Sequence, residues 1–243
     1  MISQNLFFKR NSQGFTLVEL MVTLAMSGII VAAVYSAYII QQKTYRNQGQ
    51  VVEMQQNIRS ALELMSSEIR MAGFDPTGKT KARITKATPS QLIFQLDLNE
   101  NGSLAAGAAN PNENITYSLG GTDANSDGVV DNLDTNSDGQ IDVGDSLNRN
   151  TGGGGQAIAE NIHAIEFNYT LQDGHKVTTP TAGQYKKIAA IKITMLAVSS
   201  QRDPKYTDTR TYTRGSGKVW GPFGDNYRRR LLVSTVNCRN NGL

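Results

Sequence analysis

Between Leu20 and Ile40 the sequence reads LMVTLAMSGIIVAAVYSAYII, 21 residues without a charge. At about 1.5 Å per residue, such a run is long enough to cross a bilayer as a helix. Lys9 and Arg10 precede it, which by the positive-inside bias predicts a cytoplasmic amino terminus. A cleavable secretory signal is the competing reading, with Val31-Ala32-Ala33 as its cleavage site. Glu19 argues against it. An ionisable group at membrane depth costs roughly 2.5–3.5 kcal/mol near the centre and rarely stays without a partner. No Lys, Arg or His lies within four residues of Glu19. Cutting the chain between Gly14 and Phe15 supplies one, because the new α-amine then lies four residues before Glu19 on the same helical face. A bare amine is disfavoured at the positive end of a helix, and a nearby carboxylate offsets that cost.

Gly14-Phe15-Thr16-Leu17-Val18-Glu19-Leu20, behind a short basic leader and ahead of an apolar helix, resembles the N-terminal motif of type IV prepilins and type II secretion pseudopilins. The resemblance implies that a dedicated aspartyl prepilin peptidase removes residues 1–14 and N-methylates Phe15. It also implies that Glu19 pairs with the N-terminal amine of an adjacent subunit during assembly. Ile69-Arg70-Met71-Ala72-Gly73-Phe74-Asp75-Pro76 is similar to the segment after the long helix of PilW-like minor pilins. Tyr227-Arg228-Arg229-Arg230-Leu231-Leu232-Val233-Ser234-Thr235-Val236, ahead of Arg239-Asn240, resembles the arginine-led last strand of PilW-like and J-type pseudopilin sequences.

Apolar periodicity continues past the charge-free run. Val51, Met54, Ile58, Ala61, Leu62, Met65, Ile69 and Ala72 recur at three- and four-residue spacing, one stripe of an amphipathic helix. Gly49 is its one weak point, and Gly73 with Asp75-Pro76 supplies the stop. The spacing therefore predicts a helix over 15–72, roughly 85 Å long, with 15–40 transmembrane and the rear half packed on a domain. Beyond Pro76 the pattern turns to short alternating runs separated by turn residues. Strands are expected near 83–87, 91–98, 114–119, 163–171, 187–198, 207–213 and 229–237. A long helix followed by an antiparallel sheet is an α+β fold. The resemblance makes it type IV pilin-like, with 73–243 a β-rich globular domain.

Segments 99–111 and Gly152–Gly155 read as flexible loops bounding an insertion at about 99–155. From Ala87 to Asn148 there is no Lys or Arg but there are ten acidic residues. Seven are aspartates packed into Asp123–Asp145, and they fall in register. Asp123-x-Asn125-x-Asp127-Gly128-x-x-Asp131-x-x-Asp134 is followed by Asp134-x-Asn136-x-Asp138-Gly139-x-x-Asp142-x-x-Asp145. Oxygen side chains at positions 1, 3, 5, 9 and 12 with glycine at 6 follow the ligand schedule of a calcium loop. The backbone carbonyls of Val129 and Gln140 would serve position 7. Position 12 is Asp rather than Glu, Asp134 is shared, and no helical periodicity flanks either copy. The run is similar to thrombospondin type 3 or dockerin-type repeats, and two Ca²⁺ ions are the expected occupants. A solvated acidic loop is the alternative.

Other signals are bland. Cys238 is the only cysteine, which excludes an intrachain disulfide and a multi-cysteine zinc site. His163 and His175 read as a strand and a turn residue. A net charge of +3 is too near neutral to argue for nucleic acid. Arg228-Arg229-Arg230 reads as a solvated strand face, with Leu231 and Val233 turned to the core. No hydrolase, zincin or phosphate-loop motif is present, so the chain does not read as an enzyme. The resemblance implies a minor pilin in the inner membrane with its globular domain in the periplasm, later extracted into a pilus at the cell surface. The implied partners are the prepilin peptidase, other major and minor pilins, the inner-membrane assembly platform, and membrane lipid before assembly. A type II secretion pseudopilin and a membrane-tethered calcium-dependent adhesin are the alternatives.

Overall fold

The computed structural model describes residues 14–105, 110–120, 128–129 and 144–242. The leader and most of the acidic repeat lie outside them. The chain divides into two compact units, with the boundary between Gln48 and Gly49, at the glycine where the apolar pattern is weakest. Helix α1, Leu17–Met71, runs through that boundary. Every described residue from Gly14 to Arg46 is exposed. From Gly49 onward one face is covered, with Met54, Ile58, Ala61, Leu62, Met65 and Ile69 all buried. These are the residues of the predicted stripe. At about 1.5–3 kcal/mol for each large apolar side chain removed from water, that face is held by its sheet and not by helix propensity.

The second unit is an antiparallel sheet. Its strands are β1 (Ile84–Ala87), β2 (Gln91–Gln95), β3 (Asn114–Leu119), β4 (Asp145–Asn150), β5 (Gly155–Leu171), β6 (Lys176–Val177), β7 (Ile188–Val198) and β10 (Arg229–Asn237). The spatial order is β1-β2-β3-β4-β5-β7-β10, with β6 beside the far end of β5. A separate small hairpin, β8 (Tyr212–Thr213) with β9 (Val219–Trp220), belongs to the excursion between β7 and β10. The rear of α1 shares one core with Phe94, Tyr117, Ile165, Phe167, Ile193 and Met195. The opposite face carries a second cluster of Ala164, Leu196, Tyr212 and Trp220. β7 is thus apolar on both sides over its last residues, which explains the unbroken apolar run Met195-Leu196-Ala197-Val198.

The sheet curls. The Phe167 N–H donates to the Pro89 carbonyl at 2.7 Å and the Tyr169 hydroxyl to the Thr88 carbonyl at 2.7 Å, so the β1–β2 turn lies against β5. The C-terminal tail closes the gap. Asn241 accepts from the Ile84 N–H of β1 and donates to the carbonyls of Tyr185 and Ile188. Gly73 ends α1 at φ +83°, where a Cβ would lie 2.8 Å from the Asn240 carbonyl oxygen.

The strands expected at 114–119 and 229–237 fall where predicted, and the others agree at one end or both, except that 207–213 shortens to β8. The expected insertion at 99–155 is narrower, because β3 and β4 within it are internal sheet strands. Gly152–Gly155 is the turn into β5 rather than a boundary loop.

Candidate functional site

Glu19 sits in the first turn of α1 with its side chain engaged locally. Its Oε2 accepts the Thr16 N–H and the Thr16 hydroxyl, each at 2.9 Å, while the Glu19 N–H donates back to the Thr16 Oγ1 at 3.2 Å. This is a reciprocal capping box, which satisfies helix N–H groups that have no intrahelical partner. The sequence signal was present as Thr16-x-x-Glu19 and was missed. The hydrogen bonds hold the carboxylate at the start of the helix and leave its charge unneutralised. Gly14 and Phe15 precede the helix, and Phe15 is 90% exposed.

Beyond this turn, Leu17, Leu20, Leu24, Ile29, Val31 and Val34 are exposed, as are residues all around the helix as far as Tyr45. Their contiguity exceeds what a soluble surface shows. It is the only helix among the described residues long and apolar enough to cross a membrane.

Of the expected calcium ligands, Asp123, Asn125, Asp127, Asp131, Asp134, Asn136, Asp138, Gln140 and Asp142 lie outside the described residues. The two that are described sit on the sheet. Val129 bridges to Ala164, and the preceding Gly128 carbonyl accepts the Ile165 N–H at 2.8 Å. Asp145 opens β4, its Oδ1 accepting the Ser146 N–H at 2.5 Å. No group of three or more His, Cys, Asp or Glu side chains suited to a metal occurs among the described residues.

The arginine run departs from its reading. Arg229 is 3% exposed, whereas Val233 is exposed and Leu231 half-buried against the second cluster. The Arg229 guanidinium donates to Asp225 at 2.5 and 2.6 Å, to Asp208 at 3.0 Å and to the Nδ1 of His163 at 2.7 Å. Phe223 covers both His163 and Arg229. Burial, reinforced by the Arg229 charge, lowers the His163 imidazole to about 4, so it stays neutral and accepts. Burial pushes the Asp208 carboxyl up, but donors from Tyr212, Arg229, Tyr206 and Arg210 together outweigh it and hold the group below its ordinary range. This cluster fastens the 199–228 excursion to the sheet. Asp225 lies 4 residues from Arg229, but Asp208 and His163 lie 21 and 66 residues away, and no local spacing announces those two.

A second tie joins α1 to the sheet. Arg149 on β4 binds Glu68 at 2.7 Å, and the Tyr117 hydroxyl donates to the same carboxylate. Cys238 is buried, which pushes its thiol up to about 12 and keeps it unreactive.

Residues 9–35 match the prokaryotic N-terminal methylation motif, and residues 126–240 match the family model described as type IV pilus-assembly protein W. Over these two segments the chain matches PilW-like type IV pilins. The methylation motif covers Gly14, Phe15 and Glu19 and the start of α1. The second match covers β4 to β10, including the Arg229 cluster. A type IV-like pilin from Thermus thermophilus is similar at 12% identity and a TM-score of 0.47, over 77% of this chain and 96% of that one. No curated protein sequence matches the chain. The motif implies processing by a prepilin peptidase and interaction with other pilins, and the apolar helix fits membrane anchoring. The family is structural and not enzymatic.

Proposed function

We propose that this pilin is a minor subunit that initiates, or joins the tip of, a type IV pilus. It is cut after Gly14, methylated on Phe15, and held in the inner membrane with its globular domain in the periplasm. It then moves from lipid into the filament through the assembly platform, and its α1 packs on the helices of other major and minor pilins. The observation that carries the reading is the front of α1, apolar and exposed around its whole circumference. Such a helix needs lipid or other helices on every side, and a pilin uses first one and then the other. The name of the matched family, a pilus-assembly protein, favours a pilus over a secretion pseudopilus.

Within this mechanism Glu19 neutralises the amine of a neighbouring subunit, while its bonds to Thr16 hold the carboxylate at the end of the helix where that amine arrives. The Glu19→Ala variant should keep a folded globular domain and the same cleaved, methylated N-terminus by mass spectrometry, yet be missing from sheared filaments. Normal incorporation would refute the pairing role. An uncut leader on native protein would refute filament assembly and leave a tethered adhesin.

Two Ca²⁺ ions in the repeat at 123–145 complete the proposal. Seven carboxylates within 23 residues repel one another strongly without counter-ions, and two ions would bring −7 to about −3. Protease resistance of this segment should rise in millimolar Ca²⁺, and identical digestion with and without Ca²⁺ would reject the assignment.

A further inference from the structure

The stretch from Asp97 to Glu113 reads in sequence as a loose connection, yet its described residues are built around two buried carboxylates. Asp97 is fully buried and Glu113 is 1% exposed. One oxygen of each is engaged by backbone. The Oδ2 of Asp97 accepts the Gly102 N–H at 3.0 Å and the Thr77 hydroxyl at 3.4 Å. The Oε1 of Glu113 accepts the N–H groups of Leu98 and Asn99, both at 3.2 Å. The other oxygens, Asp97 Oδ1 and Glu113 Oε2, are buried without any donor. Among the described residues, no Lys, Arg or His forms an ion pair with either group. The aliphatic stem of Lys79 lies beside Gly102. Buried carboxylates with unfilled lone pairs are costly unless something cationic completes them.

The loop between them has the right shape for that. Asp97-x-Asn99-x-Asn101-Gly102-Ser103 places side-chain oxygens at positions 1, 3 and 5, a glycine at 6 and a carbonyl at 7. Gly102 takes φ +73°, the left-handed turn such a loop requires. The Asn99 and Asn101 amide nitrogens both donate to the Asn110 Oδ1, at 3.2 and 2.6 Å. Their own oxygens accept the N–H groups of Asn101 and Ser103, at 3.0 and 2.8 Å, the turns that fold the chain around a position-1 acid, and an amide oxygen carries two lone pairs. The acid that an ordinary loop carries at position 12 is supplied here by Glu113, just ahead of β3.

We infer that Asp97, Asn99, Asn101, the Ser103 carbonyl and Glu113 form a Ca²⁺ site. Every donor is oxygen, which selects a hard cation, and a ligand set drawn from a loop and a strand suits the adaptable geometry of Ca²⁺ better than the strict octahedron of Mg²⁺. The site shares no residue with the repeat at 123–145. It also reaches the exit of α1, because the Asp97 N–H donates to the Phe74 carbonyl at 2.7 Å. Calcium here orders the β2–β3 connection and the turn leaving the helix together.

The test uses the mature full-length protein in detergent, stripped with EDTA and dialysed against CaCl₂, with bound calcium counted by atomic emission. Glu113→Gln should bind one ion fewer than wild type, and Asp97→Asn should do the same. A variant carrying Asp134→Asn and Asp138→Asn should retain this ion whatever the repeat does. In EDTA, Glu113→Gln should unfold no lower than wild type, since it removes a buried charge. It should also lose the calcium-dependent rise of about 5–10 °C expected at a free concentration near 100 times Kd. If both single variants bind as many ions as wild type, or if wild type binds none at millimolar calcium, the site does not exist. Loss confined to the Asp134/Asp138 variant would overturn this site and uphold the repeat.

Discussion

The Arg229 cluster shows how much one buried side chain can organise. Two aspartates and a neutral histidine converge on one guanidinium, and the excursion that supplies the aspartates is held to the sheet through it. The histidine gives the arrangement a pH signature. Its pKa falls from 6.5 to about 4 on folding, so the unfolded chain binds the extra proton first as pH drops. The stabilisation is complete above pH 6.5 and is lost progressively down to about 4, by about 3 kcal/mol in all. Below that, Asp208 and Asp225, both held under their ordinary range, continue the loss. Melting temperature should therefore decline between pH 6.5 and 4, and His163→Asn, which keeps an acceptor for Arg229 without the titration, should flatten that slope. An unchanged slope would show that another group is responsible. In sequence Arg229 was indistinguishable from its neighbours Arg228 and Arg230, because Asp208 and His163 lie far from it in the chain and are joined to it only by the fold.

Among the elements, legibility followed side-chain chemistry. The stripe on α1 and the aliphatic run of β7 were plain because burial alone dictates them. β4, Asp145-Ser-Leu-Asn-Arg-Asn, went unread because only Leu147 is buried, and the strand is held by its ladders to β3 and β5. The first half of β5 was hidden by glycine and alanine for a similar reason. On β10 the alternation was read in the wrong phase, since the cluster draws Arg229 inward and leaves Val233 outside. The capping box at Thr16 and the loop at 97–103 were both written in the sequence as spaced polar residues. Short polar spacings of this kind are overshadowed by the apolar run beside the first and the aspartate repeat beyond the second. The helix stop, by contrast, was read correctly at Gly73, and its geometry carries a prediction. Gly73→Ala forces a left-handed residue to carry a Cβ against the Asn240 carbonyl, and should destabilise the domain by about 2 kcal/mol or more in denaturant titration. Near-wild-type stability would mean that the tail moves aside freely.

At the scale of the molecule, the boundary at Gly49 separates two kinds of stability. The unit from Gly49 onward contains its own core, while the preceding helix exposes apolar side chains on every side. A chain beginning at Gly49 should be soluble without detergent and melt within a few degrees of the full-length protein. One beginning after Met65 should not fold, since Met54, Ile58, Ala61, Leu62 and Met65 are lost from the core. Comparable melting of the two truncations would contradict the assignment of the rear of α1 to the sheet.

The Asn241 side chain is a clasp between distant parts of the chain. It accepts one hydrogen bond from β1 and donates two at the entry of β7, so the edge of β1 is covered by a residue 157 positions further along. A copy in which that clasp is open presents the edge to proteases and to its own kind. One amide thus guards the sheet against the pairing that its outermost strand would otherwise invite.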